Sequence, residues 1–315
     1  MLADLMERRR ARRAIVKETD HDRRGFLRGI GAAAAGVAAV GALGVAPAKS
    51  ANLDVAILQF ALNLEYLEAE FYSRAAYGYG LGTVNTGVSG GVVGGRQVNF
   101  TSPLIRAYAQ EIAKEERSHV LFLRAALGAS VVNEPALDLV NSFKTLGQVT
   151  GLSPNFDPFA DDMSFMLGAY VFEDVGVTAY HGAAALLTDK NYLDRAAGIL
   201  AAEAYHAGII RTVLFAAGFT QQTAAIANLR ATLDGTYGTQ NVDDHGVGNV
   251  QYPHVADVSD NQNGTLLGGF PNPPPGNNAI AYDRTTRQVL NIVYGAASAT
   301  KGLFFPNGMN GAITS

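Results

Sequence analysis

The sequence predicts an all-α protein: a four-helix bundle of two antiparallel hairpins joined by a long crossover, followed by a C-terminal extension that includes a further helix. Three observations carry this. Two apolar helical stretches each place a glutamate three residues before a histidine, Glu116 with His119 and Glu203 with His206. Two others each place a glutamate seven residues before a tyrosine, Glu65 with Tyr72 and Glu173 with Tyr180. The connections between these stretches read as hairpin, long crossover, hairpin.

Residues three, four and seven apart share one face of a helix. Glu116 and His119 lie on the stripe Ala109, Ile112, Leu123, Ala126, and Glu203 and His206 lie on Ile199, Leu200, Ala207, Ile210. Both pairs therefore point where a helix buries hydrocarbon, and buried ionisable groups need partners. Glu65, on the stripe Leu58, Leu62, Tyr72, and Glu173, on Met166, Tyr170, Val177, Tyr180, supply two more carboxylates. The chain thus repeats one unit: a glutamate, a tyrosine at plus seven, then a Glu-x-x-His helix. Such a doubled set implies a pseudo-twofold bundle with a two-metal site between its halves.

In chain order, residues 1–48 read as a twin-arginine export signal. A basic stretch leads to Arg23-Arg24-Gly25-Phe26-Leu27-Arg28, then to an apolar run of 17 residues rich in Ala and Gly, then to Ala46-Pro47-Ala48 as a cleavage site. The run is short and weak for a span, so no stable membrane anchor is expected. Nine of the 24 Lys and Arg and five of the 28 Asp and Glu fall in this segment, which leaves the rest of the chain with a net charge of about −8. That balance leaves no basic patch for nucleic acid. The absence of cysteine removes thiolate sites and disulfides.

The bundle is expected over residues 49–218. Helix one should begin near Asn52 or Asp54 and stop at Gly78; the glycine-rich insert that follows should form a small hairpin from Val92-Val93 and Val98-Asn99-Phe100 around Gly94-Gly95. No strand-loop-helix context makes these glycines a phosphate cradle. Helix two is capped by Ser102, with Pro103 in first position, and closes at Gly128. The crossover, 129–157, holds one short amphipathic piece, Ala136 to Phe143. Helix three opens at Asp157-Pro158 and runs to about Thr188, and helix four follows Asp189-Lys190-Asn191 and ends at Gly218. In the extension, 219–315, a short helix spans Ala224 to Leu233. Composition alone reads 235–280 as disordered, whereas the apolar residues at both its ends read it as wrapping the bundle. Asp283 caps a last helix, TTRQVLNIVYG, and Leu303-Phe304-Phe305-Pro306 packs on the bundle.

Several polar residues have plainer readings. Glu68, one turn from Glu65, could take its place, but only Glu65 has the tyrosine at plus seven that Glu173 shares. Glu70, Glu111 and Glu115 fall off the stripe and read as solvated. Asp174 points about 100° away from Glu173, a surface group or one lying behind it. His181 reads as a structural histidine with its hydrogen bonds satisfied, and His245 and His254 have no partner at ligand spacing. Tyr72 and Tyr180 are either large core residues or groups that bond a ligand carboxylate or take part in redox chemistry.

LEYLEAEFY together with EERSHVLFL resembles the first helix pair of ferritin, and the doubled set resembles rubrerythrin, manganese catalase and the ferritin-like proteins called desiccation-related. The resemblance covers roughly residues 52–217, and the tail resembles only the last group. It implies Glu65, Glu116, His119, Glu173, Glu203 and His206 as ligands of two iron or manganese ions, with Glu116 and Glu203 as candidates to bridge them. Tyr72 and Tyr180 are the candidate catalytic groups. The implied activity is redox chemistry on a small oxidant, peroxide or oxygen, in the periplasm or outside the cell; a homo-oligomer is compatible with it. A non-enzymatic desiccation-stress protein on the same scaffold is the alternative, and iron storage in a hollow shell fits the insert and tail less well.

Overall fold

The structure is a computed structural model that describes residues 47–84, 90–236, 244–248 and 281–315. The arginine pair and apolar run of the export signal, the tail histidine His254 and most of the 235–280 stretch lie outside the described residues.

Four long helices form the bundle: α1 (Pro47–Tyr77), α2 (Pro103–Leu127), α4 (Asp162–Ala184) and α5 (Lys190–Ala216). A short helix, α3 (Asn141–Thr150), lies in the crossover, and α6 (Thr220–Asp234) and α7 (Thr286–Tyr294) belong to the extension. α1 pairs most extensively with α2 and α4 with α5, so the two hairpins expected from the sequence are present. Among the described residues, α5 alone is long and apolar enough to span a membrane. It lies in the bundle with Glu203, His206 and Arg211 buried.

Local signals explain most of the ends. Ser102 Oγ accepts from Ile105 N, Pro103 opens α2, and Gly128, at φ +52°, closes it. The other boundaries depart from expectation for identifiable reasons. α1 starts at Pro47, before Asn52, and Asp54 caps a different element: its carboxylate accepts from Thr188 N, Thr188 Oγ1 and Asp189 N at 2.9 Å each. Asp157 closes a separate turn by accepting from Phe159 N, and α4 begins later, on Asp161, whose Oδ1 accepts from Ser164 N at 2.8 Å. α4 also stops short of Thr188, at Ala184. The crossover helix lies at Asn141–Thr150, C-terminal to the predicted piece, because Leu137–Asp138 is extended and Asp138 Oδ1 accepts from Val140 N and Asn141 N. Thr285, not Asp283, caps α7, in a reciprocal box with Gln288.

The predicted hairpin in the insert is absent. Val92–Val93 (β1) instead pairs in parallel with Leu137–Asp138 (β2) of the crossover, and Val98 N donates to Ala75 O of α1. Gly94 and Gly95, both at positive φ, turn the chain back toward α1 instead of between two paired strands.

Two hydrophobic clusters fill the bundle. On α2, Ile105, Ala109, Ile112 and Ala113 belong to one and Val120, Leu123 and Leu127 to the other; on α5, Ala196 and Ile199 face Ile210 and Leu214 in the same way. Glu116, His119, Glu203 and His206 lie between, a polar layer closed on both sides by hydrocarbon.

The extension is tied down at three places. Phe304 packs edge-on against Phe143 and Phe172, with ring centroids 5.2 and 5.0 Å away. Asn310 exchanges hydrogen bonds with Asn63 of α1. The third tie is a buried ionic lattice. Arg230 of α6 grips Asp244 with Nε and Nη2 at 2.8 and 2.7 Å, and Nη2 also reaches Asp174 of α4 at 2.7 Å. Arg211 meets Asp174 at 3.0 Å, and Arg284 meets Asp234 and Asp244 at 2.9 and 2.7 Å. Asp174 is thus no surface group: three arginines and three aspartates make a buried network that is neutral as a whole.

Candidate metal centre

Glu65, Glu116, Glu173, Glu203 and His206 are fully buried, and the His119 side chain is 12% exposed. The structure brings all six together in two overlapping groups. Donor atoms of Glu65, Glu116, His119 and Glu203 lie within 4.8 Å of one another, and so do those of Glu116, Glu173 and His206. Glu116 belongs to both, one oxygen toward each histidine: Oε2 is 3.3 Å from His119 Nδ1 and Oε1 is 2.9 Å from His206 Nδ1. Glu203 joins only the first group, 3.7 Å from His119 Nδ1. Glu65 and Glu173 complete the two ends, at 3.2 Å from His119 and 3.4 Å from His206.

The two tyrosines cross the pseudo-twofold. Tyr72 of the first copy donates its hydroxyl to Glu173 Oε1, and Tyr180 of the second donates to Glu65 Oε1. Burial, with the neighbouring carboxylates, pushes both phenols well above their ordinary pKa, so they remain donors.

Electrostatics mark the layer as short of cations. Burial raises Glu173, pushes Glu203 well above the ordinary carboxylate range and lifts Glu65 to about 7, against the pull of His119. Glu116 is also penalised by burial, yet the two imidazoles hold it below that range. Burial disfavours the charged imidazoles, but the carboxylates win: Glu65 and Glu116 raise His119 to about 11, and Glu173 and Glu116 raise His206 to about 12. Protons thus balance the cluster, and a metal cation entering it must displace them.

The donor set fits such a cation. Glu116 Oε1, Glu173 Oε2, both oxygens of Glu203 and His206 Nδ1 are buried without a hydrogen-bond partner among the described residues. His206 Nδ1 and Glu116 Oε1 are at hydrogen-bond distance but not aligned with each other, as atoms aimed at a shared point would be. Four carboxylates and two imidazoles are hard to borderline donors, suited to iron or manganese.

Residues 53–216 match the model of the ferritin-like domain, more than half of the chain. The chain belongs to the ferritin-like family. It is 32% identical to the desiccation-related protein PCC13-62 of Craterostigma plantagineum, over 78% of each chain. It is 28% identical to the ferritin-like catalase Nec2 of Nesocodon mauritianus, over 82% of this chain and 84% of that one. No solved structure matches it at the same level of significance.

Several acidic residues of this ferritin-like bundle lie where the sequence did not place them. Glu115, read as solvated, accepts from His206 Nε2 at 2.6 Å, which leaves Nδ1 free to face the cluster. Its half-exposed position on α2 has no acidic counterpart in the second copy, so the repeat gave no signal for it. Glu70, also read as solvated, is buried: it pairs with Arg74 at 2.6 Å and accepts from Leu81 N at 2.7 Å. The i,i+4 spacing of Glu70 and Arg74 was the available signal. Glu111 does remain at the surface, bonded to Tyr205. His181 Nδ1 is buried without a hydrogen-bond partner among the described residues, contrary to a satisfied structural histidine. The His245 carbonyl accepts from Tyr170 and Arg211.

Proposed function

We propose that this protein is an exported dimetal oxidoreductase that acts on peroxide or oxygen. Two iron or manganese ions would be held by Glu65, Glu116, His119, Glu173, Glu203 and His206, with Glu116 and Glu203 the candidates to bridge them. The observation that carries the reading is the set of buried, unpartnered carboxylate and imidazole atoms converging between the helices. Four carboxylate charges nearly neutralise two divalent ions, which makes such a layer tolerable in an apolar core. The ions would supply electron exchange through their divalent and trivalent states.

The chain's own residues fix everything else. Tyr72 and Tyr180 each hold one oxygen of a terminal carboxylate and leave the other to face the centre. Glu115 fixes the His206 ring. The two apolar clusters exclude water above and below the layer. The name of the relative Nec2 supports peroxide as the substrate. Arg23-Arg24 and the apolar run after it support twin-arginine export to the periplasm or beyond, a route that carries proteins already folded, with metal in place. Replacing Arg23 and Arg24 with Lys should leave full-length protein in the cytoplasm.

The second reading, a stress-protective scaffold without catalysis, is favoured by the name of the Craterostigma relative. Metal analysis, peroxide consumption and thermal melting of protein purified from the export compartment separate the two. The oxidoreductase reading expects about two ions per chain, peroxide loss that disappears in the double variant Glu116→Gln, Glu203→Gln, and a melting temperature that falls on chelation. A bound metal at 100 times its Kd adds about 2.7 kcal/mol. Wild-type protein that binds no metal and melts unchanged with chelator would overturn the oxidoreductase reading and favour the scaffold.

A further inference from the structure

The internal repeat breaks at one buried position. The offset that carries Glu65 onto Glu173 and Tyr72 onto Tyr180 carries Glu68 onto Gly176. Glu68 is 5% exposed and lies one helical turn from Glu65, on the side of α1 that faces the metal layer. No described residue donates a hydrogen bond to it. The small cavity behind it, about 20 Å³, is otherwise lined by hydrocarbon, from Leu64 and Leu67 of α1 to Ile292 and Phe304 of the extension. A carboxylate so placed has the polar layer on one side and this small cavity on the other.

Gly176 shows which side of the layer Glu68 serves. A Cβ at that position would collide with Glu203 Oε2 and lie 3.3 Å from Glu68 Oε1, so the two carboxylates share the space the glycine leaves open. Glu68 belongs to neither group of mutually close donors, and its Oε1 faces Glu203 Oε2 across the space at Gly176.

We infer that Glu68 is a seventh ligand of the metal centre, present on one side of the pseudo-twofold only, and that the two metal positions are therefore inequivalent. The inference rests on the metal-centre reading above. Without Glu68 the two copies of the repeat contribute the same residue types, two glutamates and one histidine each; with it, one metal position has an additional carboxylate and binds a hard cation more tightly.

Titration of metal-free full-length mature protein with Mn(II) alone, followed by calorimetry and by the electron paramagnetic resonance of unbound Mn(II), tests this. Wild type should take up two equivalents in two resolved steps. Glu68→Gln should weaken one step by tenfold or more and leave the other within twofold. Glu68→Asp, which keeps the charge on a shorter arm, should recover part of the loss and tests the point if the Gln variant does not fold. Unchanged steps in the folded variants, or equal weakening of both steps, would overturn the inference while leaving the dimetal reading intact. Failure of wild type to bind Mn(II) would instead defeat that reading, and this inference with it.

Discussion

Tyr72 shows how one residue can serve packing and chemistry together. Its ring meets Phe71 and Phe165 edge-on, at 5.1 and 5.8 Å, while its hydroxyl donates to Glu173. Tyr72→Phe keeps the packing and orphans a buried carboxylate oxygen, so urea denaturation should show a loss of about 1–3 kcal/mol. Glu134 makes a different point. Its Oε2 accepts from Gly90 N at 2.7 Å, and burial together with the Glu70 carboxylate raises it to about 8. A carboxyl raised in the folded state favours the protonated form there, so its contribution is complete below about 4.5 and is lost as pH rises through about 8. Glu134→Gln should therefore flatten the decline in the urea midpoint between those limits; an unchanged slope would show that Glu134 does not titrate in that range.

Among the elements, the turn between α4 and α5 depends on a residue far away in sequence. Asp54 of α1 accepts three hydrogen bonds from Thr188 and Asp189, immediately before α5 begins at Lys190. That places a carboxylate at the positive end of the helix that carries Glu203 and His206. Asp54→Ala should cost about 1–2 kcal/mol, as loss of an N-cap does, and hydrogen exchange should rise first in the initial turn of α5. The spacing within 51–62 read Asp54 as the start of its own helix, because a cap contributed across the bundle leaves no local pattern.

For the molecule as a whole, the ionic lattice decides whether the extension is part of the fold. Arg230 and Arg284 come from the extension and Asp174 and Arg211 from the bundle, and Asp174 directly follows the candidate ligand Glu173. Arg230→Ala leaves the buried network one positive charge short, with Asp174 held by Arg211 alone and Asp244 by Arg284 alone. A loss of about 3–5 kcal/mol is expected in thermal or chemical unfolding, with the extension becoming sensitive to protease before the bundle. A loss below 1 kcal/mol would show that water or neighbouring groups compensate. The apolar end of the tail was legible in Phe304 and Phe305, but its arginines were not, since an isolated charged residue reads as surface.

The sequence by itself determined the four bundle helices, the closure of α2 at Gly128 and the doubled set of glutamate, tyrosine and histidine, because each is written in spacing along one helix face or in the chemistry of one cap. Only the tertiary structure decided which hydroxyl meets which carboxylate across the pseudo-twofold, that Glu115 supports His206, that Val92–Val93 pairs with the crossover, and that Glu68 and Asp174 are buried. Those are pairings between residues distant in sequence. Local periodicity says which face a residue occupies but not what another helix brings to meet it, and a buried charge is tolerated only where that meeting supplies a partner.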